Sequence, residues 1–253
     1  CSLFLLIACT EEEPIETIPT NTNRLLSVEV DWVETTRFYY LDDQLTEVQE
    51  DYFVLDQQTQ AEIKKTDSYL ISYEAGKVIE VNSDNRQIHF EYLENDLVLT
   101  TLVNQAVFSK VTYEGYQNPS NVKVTAINED QLSATFKLTF DEHNNFLQAV
   151  NEADLLVEEA YPGYYLVSPF NGIHIYDDKK NPYSDFAPEL QLWLTQKMNP
   201  NNVIERQFAL FPSTRYFEYT YNSEAYPVSK TTTVLDHTTN ESYTLEQTTY
   251  VYE

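Results

Sequence analysis

Apolar and polar residues alternate with a period of two along most of the chain from Leu25 onward. Clear examples are residues 27–33, 88–92, 136–140 and 217–221. Alternation places every second side chain on the same face of a strand, so these segments are predicted to be half-buried strands. The 20 tyrosines and 13 phenylalanines also favour strands over helices. The pattern predicts an all-β protein.

A degenerate unit recurs between the predicted strands. It consists of an aromatic strand end, a short polar turn and an apolar residue that starts the return strand, and Asp, Asn or Gly supplies the turn. The clearest copies span residues 40–45, 73–78, 92–97 and 140–146, and looser copies start at Tyr113, Tyr176 and Tyr221. We therefore expect an antiparallel meander of successive β-hairpins that forms a twisted sheet, a sandwich or an open barrel-like shell.

One segment, near residues 187–197, departs from this rhythm. Pro188 stands at a favourable first-turn position, and Leu190, Trp193 and Leu194 follow at helical spacing. We predict one short helix here, ended by the Asn-Pro pair that follows it. Its Leu and Trp stripe is interpreted as core packing.

The N-terminal segment has a different pattern. A short apolar run at residues 3–7 leads into Leu-Ile-Ala-Cys9 and then into Glu11, Glu12 and Glu13. The run is too short to span a membrane as a helix. This arrangement resembles the lipobox of bacterial lipoproteins, and the resemblance implies cleavage before Cys9 and lipidation of Cys9. In similar lipoproteins an acidic stretch after the cysteine is a surface-export signal, which the three glutamates match.

These patterns divide the chain into three parts. Residues 1–8 are predicted to be the remnant of a lipoprotein signal peptide. Residues 9–24 would be the lipidated cysteine with a flexible acidic tether, because they contain too little apolar surface to fold. Residues 25–253 would form a single β-rich domain. The lipid chain at Cys9 is then the expected contact with the membrane.

Net charge limits the possible partners. The formal charge is −26 at pH 7, and a field of that sign repels phosphate backbones, so we exclude nucleic acid as a partner. No cofactor is expected. The acidic pairs Asp42-Asp43 and Asp177-Asp178 lie in predicted turns and are weak candidates for calcium, which prefers several oxygen ligands. Solvated turn residues are the simpler interpretation, and we predict no metal site.

Residues with catalytic potential are present without a catalytic motif. The sequence has no His-Glu-x-x-His, no Gly-x-Ser-x-Gly and no phosphate-binding glycine loop. With 41 acidic residues, chance alone supplies many carboxylate pairs. We therefore predict no catalytic residues and no enzyme activity. The candidate ligand-binding residues are instead aromatic: Tyr161, Tyr164 and Tyr165 in a turn-forming cluster, together with Trp193.

The hairpin units, followed by the string from Ile175 to Tyr183 and a closing Tyr-Thr-Tyr-Asn strand, resemble β-rich lipoproteins of unknown function from Bacteroidota. Those proteins have loose similarity to tyrosine-aspartate repeats, usually with Gly in the turns, whereas this chain has 4 Gly in all. The resemblance implies a hairpin meander on the cell envelope. We expect a non-catalytic binding module displayed on the outer membrane, with a glycan or an envelope protein as its ligand. The alternatives are a glycan-degrading hydrolase with an unrecognised carboxylate pair and a structural component of an envelope assembly.

Overall fold

Successive hairpins build one continuous antiparallel sheet, as the alternating pattern predicts. The computed structural model describes residues 23–31, 34–56, 59, 61–126, 133–161 and 165–253. Within those residues the sheet has 16 strands. The strands are β1 (Leu25–Val30), β2 (Glu34–Leu41), β3 (Gln44–Leu55), β4 (Glu62–Glu74), β5 (Lys77–Asn82), β6 (Arg86–Leu93), β7 (Asp96–Val103), β8 (Ala106–Glu114), β9 (Asn121–Ala126), β10 (Ser133–Phe140), β11 (Phe146–Val150), β12 (Ile173–Lys180), β13 (Asn201–Gln207), β14 (Ser213–Tyr221), β15 (Pro227–Asp236) and β16 (Glu241–Tyr252). The predicted all-β meander is confirmed.

The order of the strands makes the sheet a nearly closed, barrel-like shell. Neighbouring strands pair in sequence, and β1 also pairs with β16, which leaves β11 and β12 as the two edges. These edges meet through side chains of β12. The His174 Nδ1 lies 3.3 Å from the Leu147 carbonyl oxygen, and the Tyr176 hydroxyl donates to the Phe146 carbonyl oxygen. We call this junction the seam.

The four clear turn units are confirmed as hairpin turns, and they need little glycine. Asp42, Asp43, Ala75 and Glu94 adopt positive φ angles of 48°, 65°, 50° and 51° in these turns. Short polar residues tolerate this left-handed conformation better than most others do, whereas Ala does not. The chain therefore turns tightly with few glycines, at some cost in strain at Ala75 and Glu94.

Of the looser units, those at Tyr113 and Tyr221 also lead into hairpins, but the one at Tyr176 was predicted wrongly. Tyr176 lies inside β12, and the chain between β12 and β13 contains a helix. Asp177 and Asp178 are likewise strand residues rather than turn residues. The Asp177 carboxylate accepts hydrogen bonds from the Tyr221 hydroxyl and the Asn202 backbone N–H, and these fix it within the sheet.

The connection between β12 and β13 fills the shell. The predicted helix is confirmed as α2 (Pro188–Thr195), which begins with Pro188. It ends before the predicted Asn-Pro stop, because the following residue, Gln196, adopts a left-handed φ of 57°. Leu190 and Leu192 are buried in the core formed by the inner faces of the strands. The Trp193 ring packs edge-on against Tyr69 of β4, with ring centroids 5.7 Å apart. The core interpretation of this stripe is confirmed.

A second connection, between β11 and β12, also packs inward. It contains a short helix α1 (Val157–Ala160) and a 3₁₀ helix (Tyr165–Phe170). Val157, Val167 and Phe170 are buried, and Phe170 packs against Phe136 with ring centroids 5.0 Å apart. In the part of the chain that the structure describes, neither kind of helix has the length and apolar character needed to cross a membrane.

Candidate functional site

A cavity of about 540 Å³ opens between strands β13 to β16 and the 3₁₀ helix. This size is within the usual range for small-molecule sites. Its lining combines cations, aromatic rings and aliphatic side chains. The residues that line it are Ser168, Asn171, Arg206, Phe208, Phe211, Pro212, Ser213, Arg215, Val234, Asp236, Tyr243 and Leu245. We call it the arginine cavity.

Two arginines face each other across the hairpin of β13 and β14. Arg206 and Arg215 are direct cross-strand partners. Their guanidinium carbons lie 4.6 Å and 5.2 Å from the centre of the same ring, that of Phe208. Like charges directly opposite each other on a sheet are destabilising, although the aromatic face offsets part of that cost. The hairpin therefore holds two positive charges close together.

Hydrogen bonds to the backbone hold Arg206 in place. Its Nε donates to the Asn171 carbonyl oxygen at 2.9 Å, and its Nη2 donates to the Ser168 carbonyl oxygen at 2.6 Å. Burial and the nearby Arg215 lower the pKa of Arg206 to about 10, which still leaves it charged at neutral pH. Among the described residues, neither guanidinium forms an ion pair with a carboxylate within 4.0 Å.

The acidic side chains near this pair have hydrogen-bond partners elsewhere, as does Glu246, which accepts from Lys230 and Thr232. Glu158 of α1 is 1% exposed, and its Oε2 accepts a hydrogen bond from the Ala209 backbone N–H at 2.9 Å. Its field favours the charged form of Arg206. Asp236 lines the cavity, and its Oδ1 accepts hydrogen bonds from the backbone N–H groups of Thr238 and Thr239. The acids moderate the positive charge without making contact ion pairs.

Large apolar side chains surround the mouth of the cavity. Phe211 is 60% exposed, Tyr243 is 53% exposed and Leu245 is 45% exposed. Exposed apolar groups of this size around one opening are typical of a binding surface. The lining also includes Asn171, whose buried Oδ1 has no hydrogen-bond partner among the described residues. The arrangement can receive a molecule that has a negative end and an apolar body.

The residues predicted from the sequence lie elsewhere. Tyr161 and Trp193 are partly buried and pack against the core. Tyr165 begins the 3₁₀ helix, and Tyr164 lies outside the described residues, as do Cys9, Glu11, Glu12 and Glu13. A ligand-binding role for the tyrosine cluster stays a prediction.

The two acidic pairs considered for calcium lie in different parts of the fold and contact different residues. Asp43 pairs with Arg24 at a hairpin turn, whereas Asp177 is held inside the sheet by Tyr221 and Asn202. Within the described ranges, no group of three or more His, Cys, Asp or Glu side chains is placed to hold a metal ion.

Sequence reasoning missed the arginine pair. A usable signal was present, because Arg206 and Arg215 flank the apolar stretch Phe-Ala-Leu-Phe-Pro in a strongly acidic chain. Cations on both sides of a predicted turn can face each other across a hairpin. The strand over residues 217–221 was predicted, but its start at Ser213 and the register that pairs the two arginines were not.

Comparison with known proteins gives a resemblance in fold only. No protein-family model matches the chain, and no curated protein matches its sequence. The crystal structure of a porin-like protein from Bacteroides uniformis is similar over 93% of this chain and 98% of that chain, with 11% identity and a TM-score of 0.44. A porin-like protein from Bacteroides vulgatus is similar over 91% of this chain and 99% of that chain, with 12% identity and a TM-score of 0.34. Similarity at this level says nothing about what this chain binds.

Proposed function

We propose that the protein is a cell-envelope lipoprotein, anchored through Cys9 and displayed on the outer membrane, that works as a non-catalytic binding module. Its ligand is an amphipathic anion held in the arginine cavity. The observation that supports this most directly is the cross-strand pair of Arg206 and Arg215, which has no carboxylate ion pair within the described residues.

The electrostatics of the pair favour an anion. Two guanidinium groups placed side by side repel each other in the free protein, and one carboxylate or sulfonate between them would convert repulsion into two attractive contacts. Arg215 also presents a planar donor fork that matches the geometry of a carboxylate, whereas two nitrogens of Arg206 already donate to backbone carbonyls. Partial burial strengthens such contacts relative to those at an exposed surface.

The apolar mouth favours a ligand with a hydrophobic body. Phe211, Tyr243 and Leu245 expose aromatic and aliphatic surface that a bound chain or ring would cover. Burial of apolar surface contributes about 25 cal/mol per Å², so a ligand that covers 100 Å² of it gains roughly 2.5 kcal/mol before its costs. A small hydrophilic anion lacks this contribution.

Titration calorimetry with decanoate tests the proposal. Acetate supplies the charge without the chain, and octyl glucoside supplies an apolar chain without the charge, so both are expected to bind much more weakly than decanoate. Arg215→Gln removes a charge-assisted contact of about 1.5–3 kcal/mol and is expected to weaken decanoate binding by roughly 10- to 150-fold. Arg86→Gln, on the exposed start of β6, is the matched control.

Two results would contradict the ligand assignment. If the Arg215→Gln and Arg86→Gln variants bind decanoate with equal affinity, the arginine pair does not contribute to decanoate binding. Binding of glucuronate as tight as that of decanoate would point to an acidic glycan instead of an apolar chain.

Anchoring is tested separately. Mass spectrometry of the N-terminal peptide from membrane extracts is expected to find a diacylglyceryl group on Cys9. The Cys9→Ser variant is expected to leave the membrane fraction, and protease treatment of intact cells is expected to degrade the anchored protein. An unmodified Cys9 peptide would overturn lipid anchoring and leave the cavity proposal unaffected.

A further inference from the structure

A second cavity, of about 430 Å³, lies at the opposite end of the shell from the arginine cavity. Neighbouring strands are antiparallel, so every even-numbered strand ends at the same end of the shell, and this cavity lies there, where β10 ends. The arginine cavity lies near the other end, where β13 ends and β14 begins. The two cavities share no lining residue.

The lining of this cavity is polar but uncharged. Among the described residues that line it, none is Asp, Glu, Lys, Arg or His, although 22% of the chain is charged. Side-chain amides dominate the lining instead, and we call it the amide cavity. The amide residues are Gln117, Asn118, Asn144, Gln191 and Asn199, and the others are Pro119, Phe140, Ser184, Met198 and Pro200. Such a lining favours a neutral ligand.

Three of the amides have their full hydrogen-bonding capacity available to a ligand. Gln117, Asn118 and Asn144 are exposed, and within the described residues none of their side chains makes a hydrogen bond. Each amide offers an acceptor oxygen and an NH₂ group with two donors. A molecule with several groups that both donate and accept can therefore bind all three.

Gln191 of α2 is the most buried amide of the lining, at 9% exposed. Its Nε2 donates to the carbonyl oxygens of Ser184 and Phe186 at 3.3 Å and 2.8 Å, which uses both N–H groups and fixes the orientation of the amide. In the part of the chain that the structure describes, its Oε1 accepts no hydrogen bond. A buried acceptor without a donor is costly, and a ligand hydroxyl would satisfy it.

Hydrogen bonds hold the two turns that carry the free amides. In the turn after β8, the Asn118 N–H donates to the Gly115 carbonyl oxygen at 2.7 Å, and the Gly115 N–H donates to the Asp96 carboxylate at 2.9 Å. In the turn after β10, the Asn144 N–H donates to the Asp141 carbonyl oxygen at 3.1 Å. A ligand therefore has little backbone to order when it binds, which lowers the cost of binding.

An aromatic ring adds an apolar surface to the lining. Phe140 is half-buried, and its ring packs edge-on against Phe146 with ring centroids 6.4 Å apart. The face of an aromatic ring is electron-rich and attracts the C–H groups on the face of a sugar ring. Hydroxyl groups around the edge of the same sugar need both donors and acceptors, which the amides supply.

We propose that the amide cavity binds a neutral sugar of one or two rings. Its volume is within the usual range for small-molecule sites. The free amides of Gln117, Asn118 and Asn144 bind the hydroxyls, and Phe140 packs against the sugar ring. The protein then holds two ligands of different chemistry at opposite ends of the shell, and neither site depends on the other.

Saturation-transfer NMR on the folded full chain tests this site with cellobiose, maltose, lactose and xylobiose. We expect transfer to the ring C–H protons of at least one of these sugars at millimolar concentration. Gln117→Ala removes one neutral hydrogen-bonding group and is expected to weaken binding of that sugar roughly 2- to 12-fold. Gln44→Ala is the matched control, because Gln44 is exposed at the same end of the shell and lines neither cavity.

Each of the other outcomes would overturn part or all of the proposal. Absence of transfer to all the sugars would overturn it, as would equal affinity of the Gln117→Ala and Gln44→Ala variants. Transfer to N-acetylalanine amide as strong as to the sugars would overturn the sugar assignment, because that neutral molecule has no hydroxyl. Arg215→Gln is expected to bind the sugar normally, and displacement of the sugar by decanoate would place it in the arginine cavity instead.

Discussion

Side-chain hydrogen bonds across the seam should contribute measurably to stability, and Tyr176→Phe isolates one of them. The substitution removes only the hydroxyl that donates to the Phe146 carbonyl oxygen. Phe146 is 1% exposed, so water has little room to replace that donor. Loss of a donor to a buried acceptor costs about 1–3 kcal/mol. At about 2–4 °C per kcal/mol for a chain of this size, a loss near 2 kcal/mol lowers Tm by roughly 4–8 °C.

The assay is urea unfolding monitored by circular dichroism, with hydrogen exchange of β11 amides as a local probe. Tyr39→Phe is the matched control, because the Tyr39 hydroxyl donates to the Gln49 side chain on the outer face, where water can replace it. We expect the control to change the free energy of unfolding by less than about 0.5 kcal/mol. Tyr176→Phe should also speed exchange in β11. Equal stability of the two variants would refute a structural role for the seam hydroxyl.

Three further predictions concern turns and charges. Ala75→Asn should raise Tm by about 2–4 °C in a thermal melt, because Asn tolerates a φ of 50° at about 1 kcal/mol less strain than Ala does. Gly172→Ala should destabilise the fold far more than Gly76→Ala does. A Cβ at Gly172 would lie 2.2 Å from the Gln207 carbonyl oxygen, whereas a Cβ at Gly76 would have no atom within 4 Å. Urea unfolding midpoints of the two variants test this, and equal losses of stability would contradict it. Asp51→Asn should cost about 1 kcal/mol at pH 7 in urea unfolding. Hydrogen bonds from its neighbours lower the pKa of Asp51 in the folded state, so its contribution is complete above the unfolded pKa of about 3.9 and fades as the pH falls below it.

Local rules account for the part of the fold that the sequence predicted. The hairpin over residues 73–78 needs only an aromatic strand end, a turn with Gly76 and the apolar Val78, all within six consecutive positions. Helix α2 is similarly local, since Pro188 fixes its first turn and Leu190 begins its apolar stripe. Such elements depend on neighbours in the chain, and their periodicity is visible without the rest of the molecule.

Closure of the shell and the cavities depends on contacts between distant positions. The pairing of β1 with β16 joins Val28 to Tyr250, and nothing local in either strand specifies its partner. The tyrosine cluster was prominent in the sequence because aromatic residues are conspicuous. The arginine pair was not, because its meaning depends on the register that sets Arg206 opposite Arg215. A one-residue change in that register would place the two side chains on opposite faces.

The net charge of the whole chain and the local charge of the arginine cavity favour different partners. Which charge a partner responds to depends on its size and on its distance from the charged groups. A formal charge of −26 governs how a large polyanion approaches, because such a molecule meets many surface carboxylates at once. A small monoanion is smaller than the screening length of about 8 Å at physiological salt, so inside the cavity it responds mainly to the nearest groups. Those nearest groups include Arg206 and Arg215, whose guanidiniums lie over the same Phe208 ring. An acidic protein can therefore repel nucleic acid and still hold a carboxylate, provided that its cations are kept together and its nearby acids, such as Asp236, are held by other hydrogen bonds.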